Sequence, residues 1–203
     1  MKLWSNYFNM DELLNWDDVM IYLCGPMDFA KDAGIGWRDY ATEKLLSIGF
    51  KDRNILNPCK KPKTSIGRNL SEEQRLVNEL RAKKDWKALE SLMKQIMTVD
   101  LRMVDKSDIL VVNLSECERT FGTTHEIINA RNQHKPTYIV DTKGKGHVSG
   151  WLMALVGEER VFDTIDAAID EIRRVKERGP WSKKDRKDYL IFDFDKKDTD
   201  INA

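Results

Sequence analysis

A run of four consecutive apolar residues between Asp108 and Asn113 constrains the fold of this chain more than any other feature. The run, Ile-Leu-Val-Val at 109–112, is mostly β-branched and has no helical period. It therefore predicts a strand that is buried on both faces. Because such a strand needs helices above and below it, we expect it to lie centrally in a sheet that is covered on both sides.

Shorter apolar runs alternate with helical patterns along the rest of the chain. Four further strands are predicted, at residues 19–23, 55–56, 136–140 and 161–162. Helices are predicted between them, at about residues 37–48, 71–107, 125–133 and 164–178. The segment 71–107 fits one long helix or two. This alternation predicts an α/β fold with a doubly wound, mostly parallel five-stranded sheet of the flavodoxin or Rossmann type, with helices on both faces.

Two segments interrupt this alternation within what we expect to be a single domain at 1–203. A charged segment at about 60–98 is predicted to be a helical insertion. It is either a solvated hairpin or a contact for a phosphate or a partner, through the basic side chains of Lys60, Lys61, Lys63 and Arg68. The tail at about 180–203 is charged but carries Tyr189, Phe192 and Phe194, which we expect to dock on a neighbouring surface.

The charge balance and the length of the apolar runs indicate which classes of partner this chain can bind. The 34 basic and 34 acidic side chains cancel, which argues against binding to polymeric nucleic acid and favours a small molecule. The longest apolar runs, at 109–112 and 138–140, are far shorter than the roughly 20 residues of a membrane span. Residues 1–18 lack the pattern of a secretion signal. We expect a cytoplasmic protein with no membrane contact.

No metal site is predicted. Cys24, Cys59 and Cys117 lie too far apart to form a metal knuckle or a redox pair, so reduced thiols are expected. His125 begins a string that resembles the zinc-protease signature, but Asn129 stands where the second histidine would be needed.

Two carboxylates are candidates for the chemistry. Glu126 follows Gly122-Thr-Thr in the predicted first turn of its helix, so its side chain either faces the crevice beyond the strands or complements the helix dipole. Asp100 lies on the apolar-periodic helix just before the central strand and can reach the same crevice. Two acidic groups are what glycosidic chemistry requires.

Five short pieces occur in a fairly specific order and spacing. They are Ile-Tyr-Leu-Cys-Gly-Pro at 21–26, Trp37-Arg38, Leu-Asn-Pro at 56–58, Asp100 followed by the strand that Asp108 opens, and Gly-Thr-Thr-His-Glu at 122–126. In this the chain resembles the nucleoside 2-deoxyribosyltransferase family, including its relatives that hydrolyse 2'-deoxynucleoside 5'-monophosphates. The resemblance spans about residues 20–172, apart from the insertion.

The resemblance implies a role for three residues. Glu126 matches the nucleophile that attacks the anomeric carbon, Tyr22 matches the tyrosine that hydrogen-bonds this carboxylate, and Asp100 matches the acid that protonates the departing base. The expected substrate contacts are Gly25, Pro26, Trp37, Asn57, Pro58, Asn113, Thr120, Gly122 and Ser149. The resemblance also implies a nucleoside or nucleotide and a free base as ligands, no cofactor, and a homo-oligomer.

The chain departs from the family pattern six residues before the nucleophile. Many of the transferases carry an aspartate there, whereas this chain has Thr120, and the monophosphate hydrolases have a small hydroxyl residue. Thr120, Gly122 and Ser149 are therefore candidates for a phosphate cradle, although the family's first-loop serine is replaced by Pro26. We expect base exchange on a 2'-deoxynucleoside or its 5'-monophosphate. The alternatives are a 5'-monophosphate N-hydrolase and a non-catalytic nucleotide sensor.

Overall fold

Five parallel strands form one sheet at the centre of the molecule. The computed structural model describes residues 14–28, 30, 32–61, 70–115, 121–180, 185–189 and 192. The strands are β1 (Ile21–Cys24), β2 (Ile55–Leu56), β3 (Ile109–Asn113), β4 (Thr137–Val140) and β5 (Val161–Phe162). Their order is β2-β1-β3-β4-β5, and every neighbouring pair is parallel. The predicted central strand is thus confirmed as the middle strand of a doubly wound α/β sheet.

Six α-helices accompany the sheet in the described segments. They are α1 (Ile35–Ser47), α2 (Leu70–Ala82), α3 (Trp86–Lys106), α4 (Phe121–Asn132), α5 (Gly150–Val156) and α6 (Ile165–Arg178). None of these helices combines the length and the apolar character that crossing a membrane requires.

Alternation along the strands divides the apolar core between the two faces of the sheet. Ile21 and Leu23 of β1 pack on one face, in a cluster that includes residues of α1 and α6. Tyr22 and Cys24 point to the other face, in a cluster that includes residues of α3, α4 and α5. Because successive side chains of a strand point to opposite faces, the two polar-tipped residues of β1 lie on the same side, facing α4.

The charged segment after β2 contains a helical hairpin. Asp85 ends the connection and caps α3, since its side chain accepts a hydrogen bond from the backbone N–H of Ala88 at 3.0 Å. The preceding Lys84 has a left-handed backbone, with φ of 56°. The segment 71–107, which fits one helix or two by sequence, is therefore divided between two helices, α2 and α3. Helix α3 continues without a break through residue 98, so its far end carries Asp100 toward the central strand.

The aromatic residues of the tail that the structure describes are buried within this chain. Tyr189 and Phe192 are 4% and 3% exposed and belong to the same cluster as Trp16 and Tyr138. The hydroxyl groups of Tyr138 and Tyr189 are hydrogen-bonded to each other. The expected docking of these two rings is confirmed, but the surface that they dock on is the chain's own core, so they are not contacts to a second copy of the chain. Phe194 lies outside the described residues.

The order of the strands fixes where a ligand can enter. From β1 the chain moves to β2 on one side, and it later crosses to β3 on the other side. The connections on either side of β1 therefore diverge at the carboxyl ends of β1 and β3, and a crevice opens between them.

Candidate active site

A cavity of about 620 Å³ lies at the carboxyl end of β1. One side, the sheet wall, consists of Tyr22, the loop that follows β1, and the beginning of α4 up to Glu126. The opposite side, the hairpin wall, consists of residues from α2 and α3, including Asp100. This volume is in the range of cavities that hold a small molecule of nucleoside size.

Both oxygens of the Glu126 carboxyl group have a partner on β1. The Tyr22 hydroxyl donates to Oε1 at 2.8 Å, and the Cys24 thiol lies 2.9 Å from Oε2. Burial and the neighbouring Glu126 raise the pKa of the Cys24 thiol well above its usual value, so the sulfur keeps its proton and acts as a donor. The alternation of β1 thus presents two neutral donors to one carboxylate.

The pKa of the Glu126 carboxyl group lies near neutral pH. Burial is the main cause that raises its pKa to about 7, and the negative charge of Asp100 adds to the effect. The donors Cys24 and Tyr22, together with the Arg38 guanidinium, act in the opposite direction. The sequence predicted that Glu126 lies in the first turn of its helix. Because α4 begins at Phe121, Glu126 instead lies in the second turn. Its side chain therefore faces the cavity instead of the free backbone N–H groups at the helix start.

Asp100 is held by a buried cation. The Nζ atom of Lys61 lies 2.7 Å from Asp100 Oδ1 and 3.6 Å from Glu73 Oε2. Burial raises the pKa of Asp100, and Lys61, followed by Arg38, opposes that rise. Of the two interpretations of the charged segment, a phosphate contact through Lys61 does not fit, because its ammonium group is enclosed by two carboxylates. The solvated hairpin fits, since most side chains of α2 and α3 are exposed or half-buried, while one face of α2 also lines the cavity. Lys60 is exposed and pairs with Asp39, and Lys63 and Arg68 lie outside the described residues.

Arg38 holds the loop after β1, which belongs to the sheet wall, in place. Its side chain is completely buried and donates to the carbonyl groups of Leu23, Gly25, Ala33 and Gly34. These bonds fix the loop after β1 against α1. The sequence places Arg38 in a motif with Trp37 but does not indicate its role in the site.

Three of the predicted substrate contacts line the cavity, and five do not. Gly25, Pro26 and Gly122 line it. Trp37 and Asn113 lie behind the loop, where a Cβ atom at Gly25 would come within 2.8 Å of the Trp37 ring and 2.9 Å of the Asn113 carbonyl oxygen. Gly25 is therefore required for this close packing rather than for substrate contact alone.

The other predicted contacts have local partners or are not described. Asn57 accepts a hydrogen bond from the backbone N–H of Cys59, and Pro58 is buried in the same short turn. Ser149 caps α5 by accepting from the backbone N–H of Leu152. Thr120 lies outside the described residues.

One face of α2 supplies cavity residues that the sequence did not suggest. They recur at helical spacing and are Leu70, Glu73, Gln74, Val77, Asn78 and Arg81. Arg81 also pairs across the rim with Asp28 in the loop after β1, with nitrogen–oxygen distances of 2.6 and 2.9 Å. The helical period of α2 was visible in the sequence, but the direction of this face was not.

The arrangement combines two carboxyl groups in different surroundings around one cavity. Glu126 has neutral donors on both oxygens, whereas Asp100 has a cation on one oxygen. Such a pair can divide the roles of nucleophile and acid. Within the described residues, no group of three or more His, Cys, Asp or Glu side chains is arranged to hold a metal ion.

Comparison with known proteins gives one family. The model of the family described as nucleoside 2-deoxyribosyltransferase matches residues 21–165, from the first residue of β1 to the first residue of α6. This match covers more than half of the 203 residues. The comparison with curated proteins finds no match.

Proposed function

Because this chain belongs to the nucleoside 2-deoxyribosyltransferase family, we propose that it cleaves the N-glycosidic bond of 2'-deoxynucleosides or their 5'-monophosphates and transfers the sugar to another base. The observation that carries this proposal is the buried Glu126 carboxyl group, which faces the cavity with a donor on each oxygen. A carboxylate held in this way is oriented before the substrate arrives, and orientation is a large part of catalysis.

In the first step, a Glu126 oxygen forms a bond to C1' of the sugar while the bond between C1' and the base nitrogen breaks. The electron pair of that bond goes to the base, and Asp100 supplies the proton that keeps the base from leaving as an anion. The product is a glycosyl ester on Glu126. The Tyr22 hydroxyl remains close enough to orient the ester.

In the second step, a nitrogen of an incoming base attacks C1' and the ester bond breaks, which returns the Glu126 carboxylate. The proton of the incoming base passes to Asp100, so the site regains its starting state. Water in place of the base would give free deoxyribose or its 5'-phosphate.

Hydrolysis of a 5'-monophosphate is the second candidate. Thr120 occupies the position six residues before the nucleophile, and Gly122, which follows closely, lines the cavity at the beginning of α4. A hydroxyl and free backbone N–H groups at a helix start favour a phosphate. Ser149 supports this cradle less, because its hydroxyl caps α5.

The test is incubation with 2'-deoxynucleosides and 2'-deoxynucleoside 5'-monophosphates, with and without an isotope-labelled free base. Chromatography separates released base from exchanged product. We expect labelled nucleoside to form in the presence of the added base. Release of base that is never exchanged supports the hydrolase instead. If no substrate loses its base, the proposed function is wrong.

We also propose that the chain forms a homo-oligomer, as the family resemblance implies. Phe121, which is 92% exposed beside the cavity residue Gly122, is where we expect a second copy of the chain to contact the rim of the cavity. Light scattering is expected to give at least the mass of two 23.7 kDa chains. A monomer with full activity would contradict it.

A further inference from the structure

Lys61 is a buried lysine that belongs to no recognised motif of this site. It follows the short turn Pro58–Lys60 after β2, and its side chain is only 4% exposed. Its ammonium nitrogen lies between Asp100 on α3, at 2.7 Å, and Glu73 on α2, at 3.6 Å. Lys61 thus connects the hairpin wall to the carboxyl group that faces the cavity.

Burying an ammonium group is unfavourable unless a charge of opposite sign accompanies it. Two carboxylates surround Lys61, and one of them, Asp100, lies at the cavity surface with 16% of its side chain exposed. If the cluster served only to join α2 to the sheet, well-packed apolar side chains would stabilise the protein as well or better. The position of Asp100 at the cavity therefore points to a role in the reaction.

We propose that Lys61 is a positioning residue that acts through Asp100: it orients the carboxyl group toward the base and stabilises the carboxylate that remains after Asp100 has given its proton away. This inference rests on the proposed function. Without a nearby cation, burial would raise the pKa of Asp100 further, and the group would give up its proton less readily. With the cation, the same group can release the proton and take it back in each cycle.

Other groups also face Asp100 and set the balance. Arg38 of α1 acts in the same direction as Lys61, and its effect on Asp100 is the smaller of the two. The negative charge of Glu126 on α4 repels that of Asp100, and Glu73 on α2 shares the Lys61 ammonium group with it, so both glutamates oppose loss of the proton. The neutral Tyr22 hydroxyl of β1 completes the surroundings. Removing Lys61 or Glu73 should therefore shift the titration of Asp100 in opposite directions.

The experiment isolates Asp100 from Glu126 by comparing two substrates. Ordinary 2'-deoxyguanosine needs protonation of its base, whereas the N7-methylated form already carries the positive charge that protonation would supply. Both need ionised Glu126. The N7-methylated substrate loses its own N1 proton near neutral pH, but that titration is the same for every variant. A difference between variants in the pH at which the ratio of the kcat/KM values falls therefore reports the protonation of Asp100.

We expect Lys61→Met to move the fall of this ratio to higher pH by about one unit or more, because the ion pair is lost. Glu73→Gln should move it to lower pH, because a negative charge is removed. Lys61→Arg keeps the charge and should restore most of the wild-type profile. Lys60→Met is the matched control, since the neighbouring Lys60 is exposed and pairs with Asp39 instead.

The outcomes separate the two proposals. If wild-type protein releases no base from any substrate, the proposed function fails. If it is active but the ratio falls at the same pH in all variants, the role of Lys61 is overturned. Should Lys61→Met fail to fold by circular dichroism, Glu73→Gln decides, because general loosening of the hairpin does not predict a shift to lower pH.

Discussion

The two walls of the cavity control their carboxyl groups by different means. On the sheet wall, Glu126 is buried against the neutral donors Tyr22 and Cys24, and its pKa rises to about 7. On the hairpin wall, Asp100 is buried against the cation of Lys61. Neutral donors orient a carboxylate without neutralising it, whereas a cation stabilises the charge itself. The sheet wall therefore suits a nucleophile, and the hairpin wall suits proton exchange with the base.

The largest expected effect comes from removing the nucleophile of the sheet wall. Glu126→Gln keeps the shape of the side chain but replaces the carboxylate with a poor nucleophile, so turnover should fall by about 10³-fold or more on every substrate. Glu90→Gln on the exposed surface of α3 is the control, where only a pair with Lys94 is lost. Steady-state base release measures both. A Glu126→Gln variant with more than about a tenth of wild-type turnover would mean that Glu126 is not the nucleophile, and the two walls would then not divide the chemistry as described.

The second-largest expected effect comes from removing the acid of the hairpin wall, and its size depends on the substrate. Asp100→Asn should lower kcat/KM on ordinary 2'-deoxynucleosides by about 10²- to 10⁴-fold, because an amide cannot protonate the departing base. N7-methylated 2'-deoxyguanosine should be affected much less, since its base leaves without that proton. Asp105→Asn, near the end of α3 and outside the cavity, is the control. Equal losses on both substrates would mean that the hairpin wall does not supply the acid.

The stability of the protein should depend on pH through the Glu126 carboxyl group of the sheet wall. The folded-state pKa of Glu126, about 7, is above the ordinary value of 4.5 for a glutamate side chain, so the folded state binds this proton more tightly. The stability that Glu126 contributes is complete below about pH 4.5 and is lost as pH rises through about 7, by about 3 kcal/mol at most. Urea unfolding at pH 5 and pH 8 should therefore show a smaller pH-dependent loss in Glu126→Gln than in wild type. The same loss in both proteins would contradict the burial of the charge.

The smallest effect concerns recognition of the base. Gln74 and Asn78 lie one turn apart on the cavity face of α2, next to Glu73 and hence on the Asp100 side. A double substitution to Ala should change KM values among the bases by up to about tenfold, because each lost amide hydrogen bond is worth about 0.5–1.5 kcal/mol. Arg75→Ala, which breaks an exposed pair with Glu79, is the control. If the KM values for all bases are unchanged, Gln74 and Asn78 do not recognise the base, and proton exchange is the only role left for the hairpin wall.

The sheet wall could largely be predicted from the sequence. The apolar run at 109–112 predicts the central strand, and the alternation of strands and helices predicts the fold. The crevice at the strand ends then follows from topology. Tyr22 and Glu126 were proposed together from the family resemblance, and the structure brings their side chains within hydrogen-bond distance. The central strand and the crevice depend on local periodicity and on connection order, which a single sequence carries, whereas the pairing of Tyr22 with Glu126 follows only from the family resemblance.

The hairpin wall could not be predicted in the same way. Lys61 and Asp100 are 39 residues apart and meet only because α2 and α3 pack beside the turn that follows β2. Nothing in the local pattern distinguishes Lys61 from the exposed Lys60. Position at a strand end was also an incomplete guide. Asn57 and Ser149 were expected to contact substrate, but their side chains satisfy backbone N–H groups of the next turn or helix.

The most direct test of the account is to trap the sugar on the protein. Wild-type protein and Glu126→Gln are mixed with a 2'-deoxynucleoside in the absence of acceptor base, quenched in acid within milliseconds, digested and measured by mass spectrometry. We expect wild-type protein to gain one deoxyribosyl group on the peptide that contains Glu126, and the variant to gain none. A deoxyribosyl group on another residue, or rapid turnover of wild-type protein with no adduct at any quench time, would contradict it.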